Sequence, residues 1–130
     1  MSEYHVVEIG LDNIEALQKS LKEMGHTVEV HEKPVDVNGW AGRKWGKAHV
    51  VVRKKAGFMT DFGFEKVGDK FVLRCDSGDK GRINIKQLTQ LHGKHKIKSA
   101  LHKQPSKYKV HKEEVDKNGN IHLKVRCRVY

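Results

Sequence analysis

The sequence predicts an α+β fold, in which an antiparallel sheet of about five to seven strands carries two helices packed on one face. Apolar residues fall into helical and strand patterns in the order strand, helix, several strands, helix, hairpin. Strands that follow one another between two helices favour an antiparallel sheet with the helices on one side. The chain of 130 residues has the usual length of one domain, so we expect a single α+β domain over residues 1–130.

The first helix is predicted by apolar residues that recur at steps of three and four along the chain. These residues are Leu11, Ile14, Leu17, Leu21 and Met24. Asp12 and Glu15 have the spacing of a capping box, and Gly25 supplies the left-handed residue that commonly ends a helix. We expect this helix to pack on the core.

The middle of the chain is predicted to form strands. Val28 and Val30 alternate with polar residues until Pro34, which either divides this strand or places it at a sheet edge. Residues 48–52 form a short apolar run that is typical of a buried strand. Gly68-Asp69 suits a tight turn between two further strands. The inward residues of these two strands are predicted to be Phe62, Phe64, Phe71, Leu73 and Cys75.

The second helix is predicted to begin near Asn84, with Gln87 as its capping partner, and to end by Pro105. Gly93 weakens the middle of this helix, so we expect a kink or a break there. The inward residues are Ile85, Leu88 and Leu91, followed after a slip of phase by Ile97 and Leu101.

The chain is predicted to close with a C-terminal β-hairpin. Asn118-Gly119 is a strong hairpin signal, and it joins a strand around Tyr108–Val115 to a strand of strict alternation. The inward residues of that last strand are Ile121, Leu123, Val125, Cys127 and Val129.

Several of these segments resemble a domain-of-unknown-function family of bacterial and plastid-encoded hypothetical proteins. The resemblance is carried by Gly39-Trp40-Ala41-Gly42, Ala48-x-Val50-Val51-Val52, Asp61-Phe62-Gly63-Phe64, Phe71-x-Leu73-x-Cys75-Asp76 and Gly119-x-Ile121-x-Leu123-x-Val125. It implies one compact domain over about residues 10–130 and implies no activity. This chain has more lysine around the second helix than that family.

The positive charge of the chain is concentrated in one block. The formal net charge is +10, and residues 80–112 contain ten lysines and arginines, four histidines and no acidic residue. A segregated charge of this kind attracts polyanions, and nucleic acid is the first partner to consider. The other interpretation is a solvated lysine-rich face with no partner.

Residues 39–47 combine aromatic and basic side chains. Trp40 and Trp45 offer flat faces for unstacked bases, and the cations between and after them would follow the phosphates. The alternative is that one tryptophan, with Trp40 as the expected one, closes the edge of the core while the glycines only form turns. The predicted nucleic-acid-binding residues are Trp40, Arg43, Lys44, Trp45, Lys47, Lys86, Lys94, Lys96, Lys98, Lys103, Lys107, Lys109, Arg126 and Arg128.

The function predicted from these features is binding of RNA or single-stranded nucleic acid, including association with ribosomal RNA. Lys94, Lys96 and Lys98 are expected on a solvated stretch where charge reversal leaves the fold intact. The alternative is an adaptor or inhibitor that docks on an acidic protein surface, because carboxylates and phosphates both attract lysine. Twenty lysines against six arginines favour non-specific phosphate contact over base readout. The oligomeric state is left open.

Catalytic and metal-binding patterns are missing from the sequence. No serine lies in a nucleophile-elbow context. Residues 76–79 and 113–116 are interpreted as turn residues and a solvated strand end, and Asp61 as a buried acid satisfied by a backbone amide. His92 and His95 share one side of the second helix, but no nearby acid completes a zinc site. We predict no catalytic residue, no metal and no other cofactor.

The expected compartment is the reducing cytoplasm. Cys75 and Cys127 form no CxxC pair, and both fall at inward strand positions, so we interpret them as core residues. The N-terminal residues lack a secretory pattern, and no apolar stretch approaches the ~18 residues that a membrane span needs. We therefore expect no membrane association.

Overall fold

The computed structural model describes residues 3–103 and 108–127, with backbone alone for Tyr108, Lys109, His111, Arg126 and Cys127. The strands are β1 (Tyr4–Leu11), β2 (Glu29–Asn38), β3 (Lys44–Val52), β4 (Phe62–Val67), β5 (Lys70–Asp76), β6 (Tyr108–Val115) and β7 (Ile121–Cys127). The helices are α1 (Ile14–Glu23), α2 (Ser77–Ile83) and α3 (Ile85–His102). The first five strands form an antiparallel sheet in the order β1-β5-β4-β3-β2, and β6 and β7 form a separate hairpin. The predicted α+β class is confirmed.

The main core lies between the helices and one face of the sheet. Phe62 and Phe64 of β4 pack there with Leu17 and Leu21 of α1 and Leu88 of α3, and all five are at most 1% exposed. Full burial of such a side chain contributes about 1.5–3 kcal/mol, so these contacts fix the helices on this face. The inward positions predicted for β5 are buried as well. These are Phe71, Leu73 and Cys75.

Helix α1 begins and ends through local side-chain chemistry. Its N-cap is Asn13, whose Oδ1 accepts a hydrogen bond from the Ala16 amide at 2.9 Å, so the predicted capping box of Asp12 and Glu15 is wrong. Asn13 serves equally well, because its short side chain reaches the free amides of the first turn. The predicted stop at Gly25 is confirmed by its φ of +92°.

A short helix that was not predicted, α2, replaces the turn expected at residues 76–79. The Asp76 carboxylate accepts from the Gly78 amide at 2.7 Å and so caps α2. Asp79 is fully buried, and its carboxylate accepts from the amides of Met59 (2.8 Å) and Thr60 (3.1 Å). These bonds stabilise a helix that composition alone does not favour, since Gly78 and Gly81 weaken it.

Helix α3 begins where the sequence predicts. Asn84 separates it from α2 with a φ of +58°, and the Asn84 Oδ1 accepts from the Gln87 amide at 3.2 Å. The helix continues through Gly93 to His102, so the predicted break does not occur. Ile97 was predicted to face inward, yet it is 47% exposed and lies beside the hairpin. Pro105 lies outside the described residues.

The C-terminal hairpin has the predicted strands and turn. Gly119 has a φ of +82°, and the Asp116 Oδ1 accepts from the amides of Asn118 and Asn120 at 2.9 Å each. Ile121 and Leu123 are half-buried beside α3. The hairpin therefore packs on α3, and in the part of the chain that the structure describes its two strands form a sheet separate from the main one.

The distal parts of β2 and β3, residues 36–47, form an arm that folds over the other face of the sheet. Gly63 lies between Phe62 and Phe64 and therefore faces this side, where a Cβ would come within 2.6 Å of Ala48. Val37, Trp45, Ala48 and Val51 form a second small core there. Strand β2 is a sheet edge with a register shift after Val30, which confirms the edge position suggested by Pro34.

Candidate nucleic-acid interface

The lysines of α3 are largely engaged in ion pairs within the protein. Lys94 was expected to be solvated, yet it is only 9% exposed, and its Nζ lies 2.9 Å from Glu23 of α1 and 3.1 Å from Glu113 of β6. Lys98 Nζ lies 2.6 Å from the same Glu113. Lys96 Nζ lies 2.7 Å from Asp12. The prediction of a solvated stretch is wrong for Lys94, whereas Lys96 is exposed, and all three lysines meet acids that other elements supply.

These ion pairs also shift the ionisation of their members. Burial alone would lower the pKa of Lys94, but hydrogen bonds to Glu23 and Glu113 outweigh it and raise that pKa. Hydrogen bonds from Lys98 and Lys94 lower the pKa of Glu113. Both groups are therefore charged at neutral pH, and their attraction holds the hairpin against α3.

The other predicted cations of the C-terminal half of the chain are either exposed or lie outside the described residues. Lys86 and Lys103 are exposed, and the Lys86 Nζ donates to the backbone carbonyl of Asn118 at 3.2 Å. Lys107 and Arg128 lie outside the described residues. For Lys109 and Arg126 the side chains lie outside the described part of the chain as well. Their predicted role stays a prediction.

Trp45 belongs to the second core and is not available for stacking. It is 5% exposed, and its ring lies parallel to that of Tyr4 with the centroids 5.4 Å apart. Its Nε1 donates to the Thr60 Oγ1 at 3.0 Å. A Cβ at Gly39 would come within 2.5 Å of this ring, so the glycine lets the indole pack under the arm. The prediction that Trp45 binds bases is wrong.

Trp40 is the accessible tryptophan, which reverses the expectation that it would close the core. It lies in a 3₁₀ turn, Trp40–Gly42, at the tip of the arm and is 42% exposed. The Lys54 Nζ lies 5.7 Å from the centroid of its ring, within the range of a cation–π contact. Sequence alone did not single out Lys54, because its approach to Trp40 depends on how the arm folds back.

Three further cations lie on the same arm: Arg43 follows the turn, and Lys44 and Lys47 pair with Asn38 and Asp36 in the β2–β3 ladder. Arg43, Lys44 and Lys47 are exposed, and the Lys44 Nζ donates to the Asn38 Oδ1 at 2.7 Å. Within residues 3–103 and 108–127, none of these three forms an ion pair. We call Trp40, Arg43, Lys44, Lys47 and Lys54 the arm cluster.

A buried carboxylate fixes the arm cluster on the sheet. Asp61 is 5% exposed and accepts from the amides of Asn38 (3.1 Å) and Lys54 (2.7 Å), so the predicted satisfaction by backbone amides is confirmed. Arg53 donates to the same carboxylate at 2.9 Å and to the carbonyl of Asp36 at 3.0 Å. These bonds hold the arm and the segment that carries Lys54 in one arrangement.

Two histidines of α3, His92 and His95, lie against α1 and its N-cap. The His92 Nε2 accepts from the Asn13 amide at 3.2 Å, and burial lowers the pKa of this ring. The His95 Nε2 lies 3.4 Å from Glu23. Among the residues that the structure describes, no group of three or more potential ligands could hold a metal ion. No helix of that same part of the chain is long and apolar enough to cross a membrane.

The chain was compared with known proteins and protein families. Neither the curated proteins nor the solved structures give a match. The family model of DUF1257, proteins of unknown function, matches residues 20–124. This segment includes the arm, β3–β5, all of α2 and α3, and most of the hairpin. The resemblance noted from the sequence is thereby confirmed, and the chain belongs to the DUF1257 family.

Proposed function

We propose that this protein is a non-enzymatic binder of RNA or single-stranded nucleic acid, and that the arm cluster is its principal contact. The observation that carries the proposal is the exposed Trp40 indole beside Lys54, on an arm that also carries the exposed Arg43, Lys44 and Lys47. Single-strand binders combine aromatic faces, on which bases stack, with cations that follow the backbone. The arm cluster supplies both on a support fixed by Asp61.

The energetics favour an unpaired strand over a duplex. Stacking of one base on an aromatic side chain contributes about 1–3 kcal/mol, and only a splayed base can reach the exposed indole. The cations then add phosphate contacts whose strength depends on salt through counterion release. Because Lys44 and Lys47 outnumber the single Arg43, we expect little discrimination between base sequences.

The second helix contributes less than the sequence suggested. Lys94, Lys96 and Lys98 already face Glu23, Asp12 and Glu113. A phosphate would have to displace these carboxylates, which offsets most of the Coulomb gain. Lys86 and Lys103 are exposed at either end of α3 and remain as secondary contacts.

The same proposal includes two further points, namely that the protein is not an enzyme and that it lies in the cytoplasm. The carboxylates of Asp61, Asp76 and Asp79 are buried, and each accepts at least one hydrogen bond from a backbone amide, so these bonds serve folding. Burial raises the pKa of the free Cys75 thiol to about 11, so this thiol stays protonated and is a poor nucleophile. Association with the ribosome would be one setting for such a protein.

The proposal predicts that Trp40→Ala lowers the affinity for single-stranded RNA by about five- to a hundredfold, because the stacking contribution is lost. Trp40→Phe should restore part of the affinity, and duplex RNA should respond to neither change. Fluorescence anisotropy with labelled oligouridylate and a matched duplex measures both. Equal binding of single strand and duplex by the wild type, with no effect of Trp40→Ala, would contradict a stacking site. If the protein binds an acidic protein and does not bind RNA, the adaptor alternative would be favoured.

A further inference from the structure

A cleft of about 390 Å³ separates α3 from the C-terminal hairpin. Small-molecule sites typically occupy about 300–1,000 Å³ and join an apolar floor to a few polar groups. This cleft is distinct from the arm cluster and contains no member of it. Its lining residues on α3 run from Lys86 to Lys94, a distance of about 12 Å at 1.5 Å per residue.

One end of the cleft favours an anion. The N-terminal turn of α3 supplies Lys86 and Gln87, with the N-cap Asn84 beside them. The Lys86 ammonium is exposed and donates to the carbonyl of Asn118, a weak neutral partner that a phosphate would replace. The partial positive charge at the start of an 18-residue helix adds to the same field.

The middle of the cleft favours a flat ring with polar edges. Leu91, Val115 and Ile121 give it an apolar lining, and Gln90 lies among them. The Gln90 Nε2 is 3.4 Å from the Asn120 Oδ1, a long contact that a better partner would displace. Amide side chains match the paired donors and acceptors on the edge of a nucleobase.

The other end of the cleft favours a hydrogen-bond donor. Lys94 is nine-tenths buried there between Glu23 and Glu113, and both carboxylates line the cleft. A carboxylate has about four acceptor positions, so each can accept from a further group. The exocyclic amine or ring N–H of a base is a donor of this kind.

We propose that this cleft binds one nucleoside monophosphate unit, with the phosphate at Lys86 and the base between Leu91 and the hairpin. The order of groups along α3 is cation, amide with apolar floor, then carboxylate, and a nucleotide presents phosphate, ring and base donors in the same order. A sugar phosphate would leave the apolar floor without a partner. The unit is either a free nucleotide or one residue of an RNA strand. The proposal does not depend on the arm cluster, because the two sites share no residue.

The test is titration of the ¹⁵N-labelled full chain with each of the four ribonucleoside monophosphates, followed by amide chemical shifts. We expect saturable shifts in residues 84–94 and 113–121 with at least one of them. The matching nucleoside without phosphate, and ribose 5-phosphate without a base, should each bind about tenfold more weakly. A short oligoribonucleotide that gives the same shifts would assign the site to a strand. An oligonucleotide that leaves the cleft unshifted would assign it to the free nucleotide.

Lys86→Glu should weaken nucleotide binding by about tenfold or more, since it removes a charged hydrogen bond and introduces repulsion. Lys70→Glu is the matched control, because it makes the same charge change on an exposed residue of β5 that neither lines the cleft nor belongs to the proposed contacts. Gln90→Ala is a second variant that leaves the charge unchanged and should also weaken binding. No shift in the cleft with any monophosphate or oligonucleotide overturns the proposal. Equal binding of the nucleotide by Lys86→Glu and Lys70→Glu also overturns it. If Trp40→Ala leaves RNA binding unchanged while a nucleotide still binds in the cleft, only the proposed function of the arm cluster would be overturned.

Discussion

At the scale of single residues, the two tryptophans have different surroundings although they are only five positions apart in the chain. Trp45 packs under the arm against Tyr4 and donates to Thr60, whereas Trp40 projects from the tip of the same arm. The difference arises from Gly39 and the left-handed Ala41 and Gly42, which turn the chain between them. Indole chemistry is identical in both, so only their positions on the arm distinguish a core residue from a candidate binding residue.

We predict that Trp45→Ala lowers the free energy of unfolding by about 3–5 kcal/mol, the range for aromatic truncation in a core. The second core loses its largest side chain, and Thr60 loses a hydrogen-bond donor. Urea unfolding followed by circular dichroism measures the change. Trp40→Ala is the control and should shift stability by no more than about 0.5–1 kcal/mol, since Trp40 is 42% exposed. A larger loss for Trp40→Ala than for Trp45→Ala would contradict the assignment.

His26 is a second residue whose surroundings have a measurable consequence. It is 9% exposed, and its ring meets the edges or faces of Phe58 and Phe62 at centroid distances of 5.7 and 5.4 Å. Its Nδ1 has no hydrogen-bond partner in the described part of the chain. Burial lowers the pKa of His26, and the nearby charge of Lys55 lowers it further. The folded protein therefore holds this ring neutral.

Because the pKa of His26 is lower in the folded state, the unfolded chain takes up more protons below about pH 6.5. We predict that the unfolding free energy falls as pH drops below that value, until the pH passes below the folded-state pKa. His26 contributes at most about 1.4 kcal/mol per pH unit, and His92 adds to the slope in the same direction. His26→Leu should reduce the slope between pH 6.5 and 5, whereas His102→Leu, at an exposed position, should not. An unchanged slope in His26→Leu would contradict this account.

At the scale of elements, the contact between α3 and the C-terminal hairpin includes a group of charged pairs. Glu113 of β6 accepts from Lys94 and Lys98 of α3, beside apolar residues of the hairpin such as Ile121 and Leu123. A two-stranded hairpin has little stability by itself in water. The hairpin therefore depends on α3 for its structure, and its docking is expected to weaken with salt.

Hydrogen exchange tests this dependence. We predict that amides of β6 and β7 exchange faster than those of β4 and β5, since local opening costs less than global unfolding. Glu113→Gln should accelerate exchange in the hairpin and leave the five-stranded sheet unchanged. Glu114→Gln is the matched control, because Glu114 pairs with Lys112 inside the hairpin, 2.6 Å away, and not with α3. Equal protection of hairpin and sheet in all three proteins would contradict charge-dependent docking.

The elements that the sequence predicts well are those specified by neighbouring residues. The cap at Asn84, the stop at Gly25 and the turn at Gly119 each follow from interactions within a few residues. Helix α2 was not predicted, because its stability comes from bonds between Asp79 and the amides of Met59 and Thr60 about twenty positions earlier. The pattern of neighbouring residues cannot predict hydrogen bonds between residues that are about twenty positions apart.

The candidate site was predicted less well for the same reason. Composition correctly marked residues 39–47 as aromatic and basic, but it could not decide which indole is covered. That decision depends on Gly63 and Gly46, which let the arm lie close to the sheet. Lys54 entered the cluster only through Asp61, which binds its backbone amide.

At the scale of the whole molecule, folding redistributes the charge that the sequence displays. Residues 80–112 contain no acid, yet Asp12, Glu23 and Glu113 neutralise three of their lysines. Reversal of Lys94, Lys96 and Lys98 would place glutamates against those carboxylates and break a buried pair, which is strongly destabilising. That variant cannot separate lost binding from lost folding. Within the described ranges, Arg43, Lys44 and Lys47 form no ion pair. Reversing their charges therefore breaks no such pair and gives a cleaner test of binding.

The most direct test of the central claim compares the salt dependence of single-stranded RNA binding in two triple variants. Arg43→Glu, Lys44→Glu and Lys47→Glu change the arm cluster, while Lys19→Glu, Lys70→Glu and Lys117→Glu make the same total charge change at scattered exposed positions. We predict that the arm variant loses most of its affinity and about two units of the slope of log affinity against log salt. The scattered variant should keep a slope close to that of the wild type. Equal slopes in the two folded variants would contradict the claim that the arm cluster binds the strand.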